Sequence, residues 1–156
     1  HAPMTAFMNR GIDLLEAHAA ESENVFSMNR RGYLFLTSTD EGKARHLKAA
    51  ASAERTGLGS ARVYTGSQEV SPYQHDKPFD AKVDGLSIYS GREAIASFLA
   101  PLGDFVSGDV TSVMHCGRCG WMNAQQMGSH LLRQGRASGV RTLTPAKLCA
   151  VRSEGG

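Results

Sequence analysis

A chain of 156 residues, 41% hydrophobic and 21% charged, has the length and balance of one folded domain with a core, which excludes a disordered tract. No apolar run approaches the ~20 residues of a membrane span, no charged-then-apolar leader is present, and three cysteines, an odd number, argue against a disulfide scaffold. The net charge of +2 conceals a basic C-terminal third, where Arg118, Arg133, Arg136, Arg141, Lys147 and Arg152 face only Glu154, giving +5 from His115 onward against −3 before it.

These features predict a soluble, cytoplasmic protein. The basic residues are spread over turn, helix and strand without the aromatic interleaving of a nucleic-acid platform, so no nucleic-acid partner is expected, and no membrane partner.

In "MTAFMNRGIDLLEAHAAES", Pro3 suits the preceding helical turn, and Met8, Ile12, Leu15 and Ala19 recur at helical spacing, which predicts an amphipathic helix. "GYLFLTST", residues 32–39, is rich in aromatic and β-branched residues and predicts a strand, approached through Asn29, Arg30 and Arg31. Thr39 or Asp40 can cap the alanine-rich helix "EGKARHLKAAASAERTG", which Gly57 ends.

"SARVYTG" predicts a short strand. Residues 67–91 form an irregular excursion in which only "LSIY" has strand character; Tyr73, Phe79 and Tyr89 would be costly in a solvated tether. "REAIASFLAPL" is a short helix stopped by Pro101, and "VTSVMHC", residues 110–116, is a strand. Asn123 caps a further helix, with Gln126 three residues on, Met127, Leu131 and Gly135 on one face and Gly139 as its left-handed end. Residues 140–143 and 147–151 read as closing strands, interrupted at Pro145. The order predicts an α+β or mixed α/β fold, a central mostly antiparallel or mixed sheet with flanking helices, in one domain over residues 1–156.

"HCGRCGWMNAQQ" holds two of the three cysteines. Cys116 and Cys119 have zinc-ligand spacing, but a zinc knuckle needs a second pair. The remaining candidates are His115, His130 within a helix, and Cys149 alone in a strand. A redox dithiol wants a thiol at a helix N-terminus, and Cys119 precedes the cap by four residues. Incidental thiols are the leading expectation, with a small zinc or dithiol site as the alternative. Tyr33 and Phe35, two apart on a strand, share a face, and core packing is expected over pocket lining. His18 and His46 are expected on solvated helical surfaces. His75 and Asp76 lie in the excursion without a partner at defined spacing. "GLGS" lacks the phosphate-loop pattern, and no Ser-His-Asp or paired-carboxylate arrangement stands out.

Three segments, taken in order, carry a resemblance to a known family. "RRGYLFLTSTDEGKARHL", "FLAPLGDF" and "VMHCGRCGWMNAQQMGSHLLRQGRASGVRTLTPAKLCAVRSEGG" resemble the substrate-side region of FAD-dependent oxidoreductases of the D-amino acid oxidase, glycine oxidase and sarcosine oxidase superfamily. The resemblance implies an internal, partial domain of a larger FAD/NAD(P)-binding oxidoreductase fold, without the G-x-G-x-x-G motif that holds the dinucleotide, and with residues 140–156 leading back to the flavin domain. It implies oxidation of a small amine or amino-acid-like substrate by hydride transfer to FAD. Lys147 and Leu148 match positions that contact the cofactor through backbone. The catalytic residues are left unassigned. The isolated chain is expected to bind FAD weakly, to be inactive, and to self-associate through exposed apolar surface. A non-catalytic, truncated binding module is the second expectation.

Overall fold

The computed structural model describes residues 2–66, 68–82, 84–106 and 108–153. Ser67, which opens the expected excursion, and Glu154, the acid of the basic third, lie outside them.

The fold is α+β: a four-stranded mixed sheet flanked by helices. The helices are α1 (Ala2–Glu21), α2 (Asp40–Thr56), α3 (Arg92–Leu99) and α4 (Ala124–Ala137). The strands are β1 (Tyr33–Thr37), β2 (Ala61–Thr65), β3 (Leu86–Ser90) and β4 (Ser112–Cys116), in the spatial order β1-β4-β3-β2. β1 and β3 both run antiparallel to β4, and β2 runs parallel to β3. No helix among the described residues is long and apolar enough to cross a membrane.

Local chemistry sets the helix ends. The Thr39 hydroxyl accepts from the Gly42 amide at the start of α2. Gly57 ends α2 with φ +78°, and the Leu58 amide reaches back to the Ala53 carbonyl, so orphan carbonyls are satisfied. The Asn123 carboxamide oxygen accepts from Gln126 N–H at 3.1 Å, the cap expected of α4.

Strand alternation divides the buried side chains between two layers. Gly42, His46, Ala50 and Ala53 form the buried stripe of α2, which packs over β2, β3 and β4 on the face carrying Ile88 and Ser112. On the opposite face Tyr89 and Val113 pack against Ile95, Phe98 and Leu99, the buried side of α3. A second, smaller core joins Ala19 of α1, Phe26 and Met28, with Leu15, Phe79, Met122 and Met127 around it. Of the stripe expected on α1, Leu15 and Ala19 serve that core, whereas Met8 is exposed.

Three expectations are corrected. Residues 140–143 and 147–151 form no strand: the described residues from 140 onward are exposed, and the ladder that would hold them meets no partner strand among the described residues. Tyr33 and Phe35 do share a face and meet edge to face at 6.5 Å, but they are 53% and 46% exposed. β1 is an edge strand, and α2 covers β2 to β4 and leaves its Tyr33 end open. His46 is buried, because Gly42, His46 and Ala50 fall one turn apart on the stripe facing the sheet.

Candidate functional site

"HCGRCGWMN" is a backbone junction. Gly32 N–H donates to the Cys119 carbonyl, Asn29 N–H to the Trp121 carbonyl and Asn123 N–H to the Phe26 carbonyl, so residues 26–32 are laced to residues 119–123. Arg30, 2% exposed, pairs with Glu16 of α1, and Arg118 pairs with Asp13 and Glu16. These ion pairs tie α1 to the segment before β1, through Arg30, and to the turn after β4, through Arg118. Burial pushes both thiols up, Cys116 to about 11 with the neighbouring Cys119 adding to the effect, so each is a neutral thiol near pH 7. Among the described residues no group of three or more His, Cys, Asp or Glu is placed to hold a metal ion. His130 is half-buried in α4, with an Nε2 that has no hydrogen-bond partner. His75 and Asp76 stand in an exposed turn.

The chemistry gathers one strand away, on the α3 face of the sheet. A cleft of about 480 Å³ lies between the sheet, the loop before β3 and the segment around Tyr73 to Lys77. Aromatic rings form one wall. Tyr64 and Tyr89, partners in the β2–β3 register, stack at 5.0 Å, and Tyr89 stacks on Phe98 of α3 at 3.8 Å. Tyr73 meets Phe98 and His115 edge to face, each at 5.9 Å, and its amide donates to the Phe98 carbonyl at 2.8 Å. The irregular segment is thereby pinned across the end of the cleft. A second backbone tether follows, where the Arg30 amide donates to the Lys77 carbonyl.

His115 contributes a titratable group to this wall. Its Nε2 lies 3.2 Å from the Arg31 carbonyl, and a carbonyl only accepts, so Nε2 carries the proton and Nδ1 remains the ring's acceptor. Burial holds its pKa below the usual histidine value; the Arg31 bond opposes this, and Lys77 adds to the depression. The ring is therefore neutral near pH 7. Arg62, Lys77 and Lys82 also line the cleft, against the single acid Asp84, whose Oδ1 already accepts from the Gly85 amide at 2.7 Å. No salt bridge among the described residues engages any of these three cations. Burial raises the Tyr73 and Tyr89 phenols, so both keep their O–H near neutrality.

A second depression, about 720 Å³, lies between Lys43, Arg92, Ile95, Leu99 and Val110; it is wider and open, with no aromatic wall. The tighter cleft, with its converging polar groups, is the better candidate.

Lys147 and Leu148 are not brought to the cleft. They stand on the exposed segment after α4, where Leu148 is 80% exposed. Sequence reasoning weighed His115 only as a metal ligand, and it assigned no role to Arg62, Tyr64 or Lys82. The Tyr64–Tyr89 pairing becomes visible only with the parallel register of β2 and β3. Compared with known proteins, the chain matches no family model, no curated protein and no solved structure.

Proposed function

We propose that this chain is the substrate-side region of an FAD-dependent oxidoreductase that oxidises an amine or amino-acid-like substrate, in a reducing, cytoplasmic setting. The observation that carries the proposal is the spatial convergence of the segments that resemble the family. "GYLFLT" and "SVMHC" are far apart in sequence yet pair residue by residue from Tyr33 with Cys116 to Thr37 with Ser112. The turn that follows is laced to "NRRG", and "FLAPLGDF" supplies Phe98 to the cleft. Of the cleft lining these segments supply only Phe98, His115 and Gly117, so what supports a shared architecture is the pairing of β1 with β4 and the lacing of the turn.

FAD would supply the hydride acceptor. The residues of this chain do not by themselves fit a flavin. Lys147 and Leu148 have no enclosing surface, and the only phosphate-loop candidate, "GLGS", lacks the required pattern. The groups that hold the cofactor are therefore proposed to lie outside residues 1–156, and the cleft residues act on the substrate alone. Arg62 and Lys82 orient an acidic group, and the Tyr64–Tyr89–Phe98 stack excludes water from the apolar part.

Exposed apolar side chains agree with a region that packs against further protein. Met4, Phe7 and Met8 on α1 and Leu143, Leu148 and Val151 beyond α4 face solvent. The isolated chain would pair with itself through such surface. The test is the gene: sequence upstream of His1 should encode a strand followed by G-x-G-x-x-G and, further on, an acidic residue for the ribose. An intact reading frame without that fingerprint removes the flavoenzyme and leaves a binding module.

A further inference from the structure

Aromatic walls and cations are both present in the cleft, and the two point to different ligands. Rings alone suit a cation, which the π faces of Tyr64, Tyr73 and Phe98 would attract. The charges decide otherwise. Arg62, Lys77 and Lys82 line the same cleft, and the one carboxylate, Asp84, is engaged by the Gly85 amide. A cationic ligand would meet an excess of positive charge, three cations against one carboxylate, and would be repelled. An anion meets cations that form no salt bridge among the described residues, and the hydroxyls of Tyr73 and Tyr89 keep the protons that let them donate.

Both sets of groups line the same cleft. Lys77 is close enough to His115 to lower its pKa, and Arg62 close enough to Tyr89 to act on its phenol. The cleft has room for a small aromatic ligand, and Tyr73, whose amide donates to the Phe98 carbonyl, lies across one end.

We propose that the cleft between β2, β3, β4 and the segment at Tyr73 binds a small ligand with a flat aromatic ring and an oxyanion group, either carboxylate or phosphate. The ring packs against the Tyr64–Tyr89–Phe98 stack, and the oxyanion is taken by Arg62 and Lys82, with Lys77 at the far side. This binding does not require a flavin. If the flavoenzyme proposal also holds, its substrate is one that bears an acid group.

Isothermal titration of the whole chain with four probes tests the site: benzoate, phenyl phosphate, inorganic phosphate and benzylamine. Saturable binding of benzoate, phenyl phosphate or both is expected, and their ratio tells whether the oxyanion is a carboxylate or a phosphate. Inorganic phosphate and benzylamine should bind at least about tenfold more weakly, since one lacks the ring and the other carries the wrong charge. Arg62 and Lys82 are exposed, so Arg62→Gln with Lys82→Gln should leave the circular dichroism unchanged and weaken binding about tenfold or more. Lys48→Gln with Arg55→Gln, which removes equal charge from exposed positions on α2, should not alter it. Tyr64→Leu should weaken the aromatic acids and leave inorganic phosphate unchanged. No saturable binding of either aromatic acid, benzylamine binding equally well, or equal losses in the two charge-matched double variants would each overturn the proposal.

Discussion

His46 Nδ1 and Ser112 Oγ lie 3.0 Å apart in a buried hydrogen bond that joins the middle of α2 to the start of β4, 66 residues away. The contact orients α2 on one side of the sheet while the cleft forms on the other. Ser112→Ala would leave a buried ring nitrogen without its partner, at a cost of about 1–3 kcal/mol. Urea unfolding should show a lower midpoint at unchanged slope. A midpoint equal to wild type would mean that the pair does not help to hold α2 in place.

Acid should weaken the fold through the same histidine and through His115. Burial lowers both pKa values from 6.5, helped by Arg45 at His46 and by Lys77 at His115. Between the folded pKa and 6.5 the unfolded chain binds more protons than the folded one, so stability falls as pH falls. The contribution is fully present above 6.5 and is lost as pH drops through the depressed folded values. Unfolding midpoints measured across this window should decline towards acid, and His46→Gln with His115→Gln should flatten the decline. A midpoint that rises on acidification would contradict the burial of these rings.

Gly32 sits with φ +77° directly beneath His115, where an added Cβ would run into the imidazole Nε2 and the Cys116 carbonyl. The backbone conformation alone makes Gly32→Ala unfavourable by about 1–3 kcal/mol. The clash adds to this and displaces the ring from the Arg31 carbonyl. The expected result is a lower unfolding midpoint together with a changed His115 titration in NMR; an unchanged titration would show that Gly32 does not set the ring's position.

Cysteine reactivity should separate the thiols by environment. Cys149 is exposed, whereas Cys116 and Cys119 are half-buried thiols whose pKa values burial raises. A thiol-disulfide reagent near pH 7 should label one cysteine quickly and two slowly until the protein is denatured. Cys116→Ser with Cys119→Ser should leave binding of aromatic acids intact, since neither side chain lines the cleft. Fast labelling of Cys116 or Cys119, or loss of binding in the double variant, would return this turn to the reactive sites.

The helices and strands of the first 139 residues were largely legible because their signals are local. Thr39, Gly57 and Asn123 mark ends through hydrogen bonds made within a few residues, and these bonds are present. The same logic misplaced His46, because the charged neighbours Lys43, Arg45 and Lys48 suggest a surface while its own position on the Gly42–Ala50 stripe faces Ser112. It misplaced Tyr33 and Phe35 in the opposite sense, since alternation gives a common face but not whether a helix covers it. Closing strands after Gly139 had the right composition but no ladder. The cleft was least legible: Tyr64, Tyr89, Tyr73, Phe98 and His115 come from four elements and one irregular segment, and only the β2–β3 and β3–β4 registers bring them together.

The flavoenzyme proposal meets its most direct test in the visible spectrum of the protein encoded by the whole reading frame, purified and then mixed anaerobically with amino acids that bear an aromatic ring. Flavin absorbance that bleaches on substrate addition, and fails to bleach in the Arg62→Gln, Lys82→Gln variant, is the predicted result. A colourless protein that acquires no flavin absorbance on incubation with FAD would contradict it.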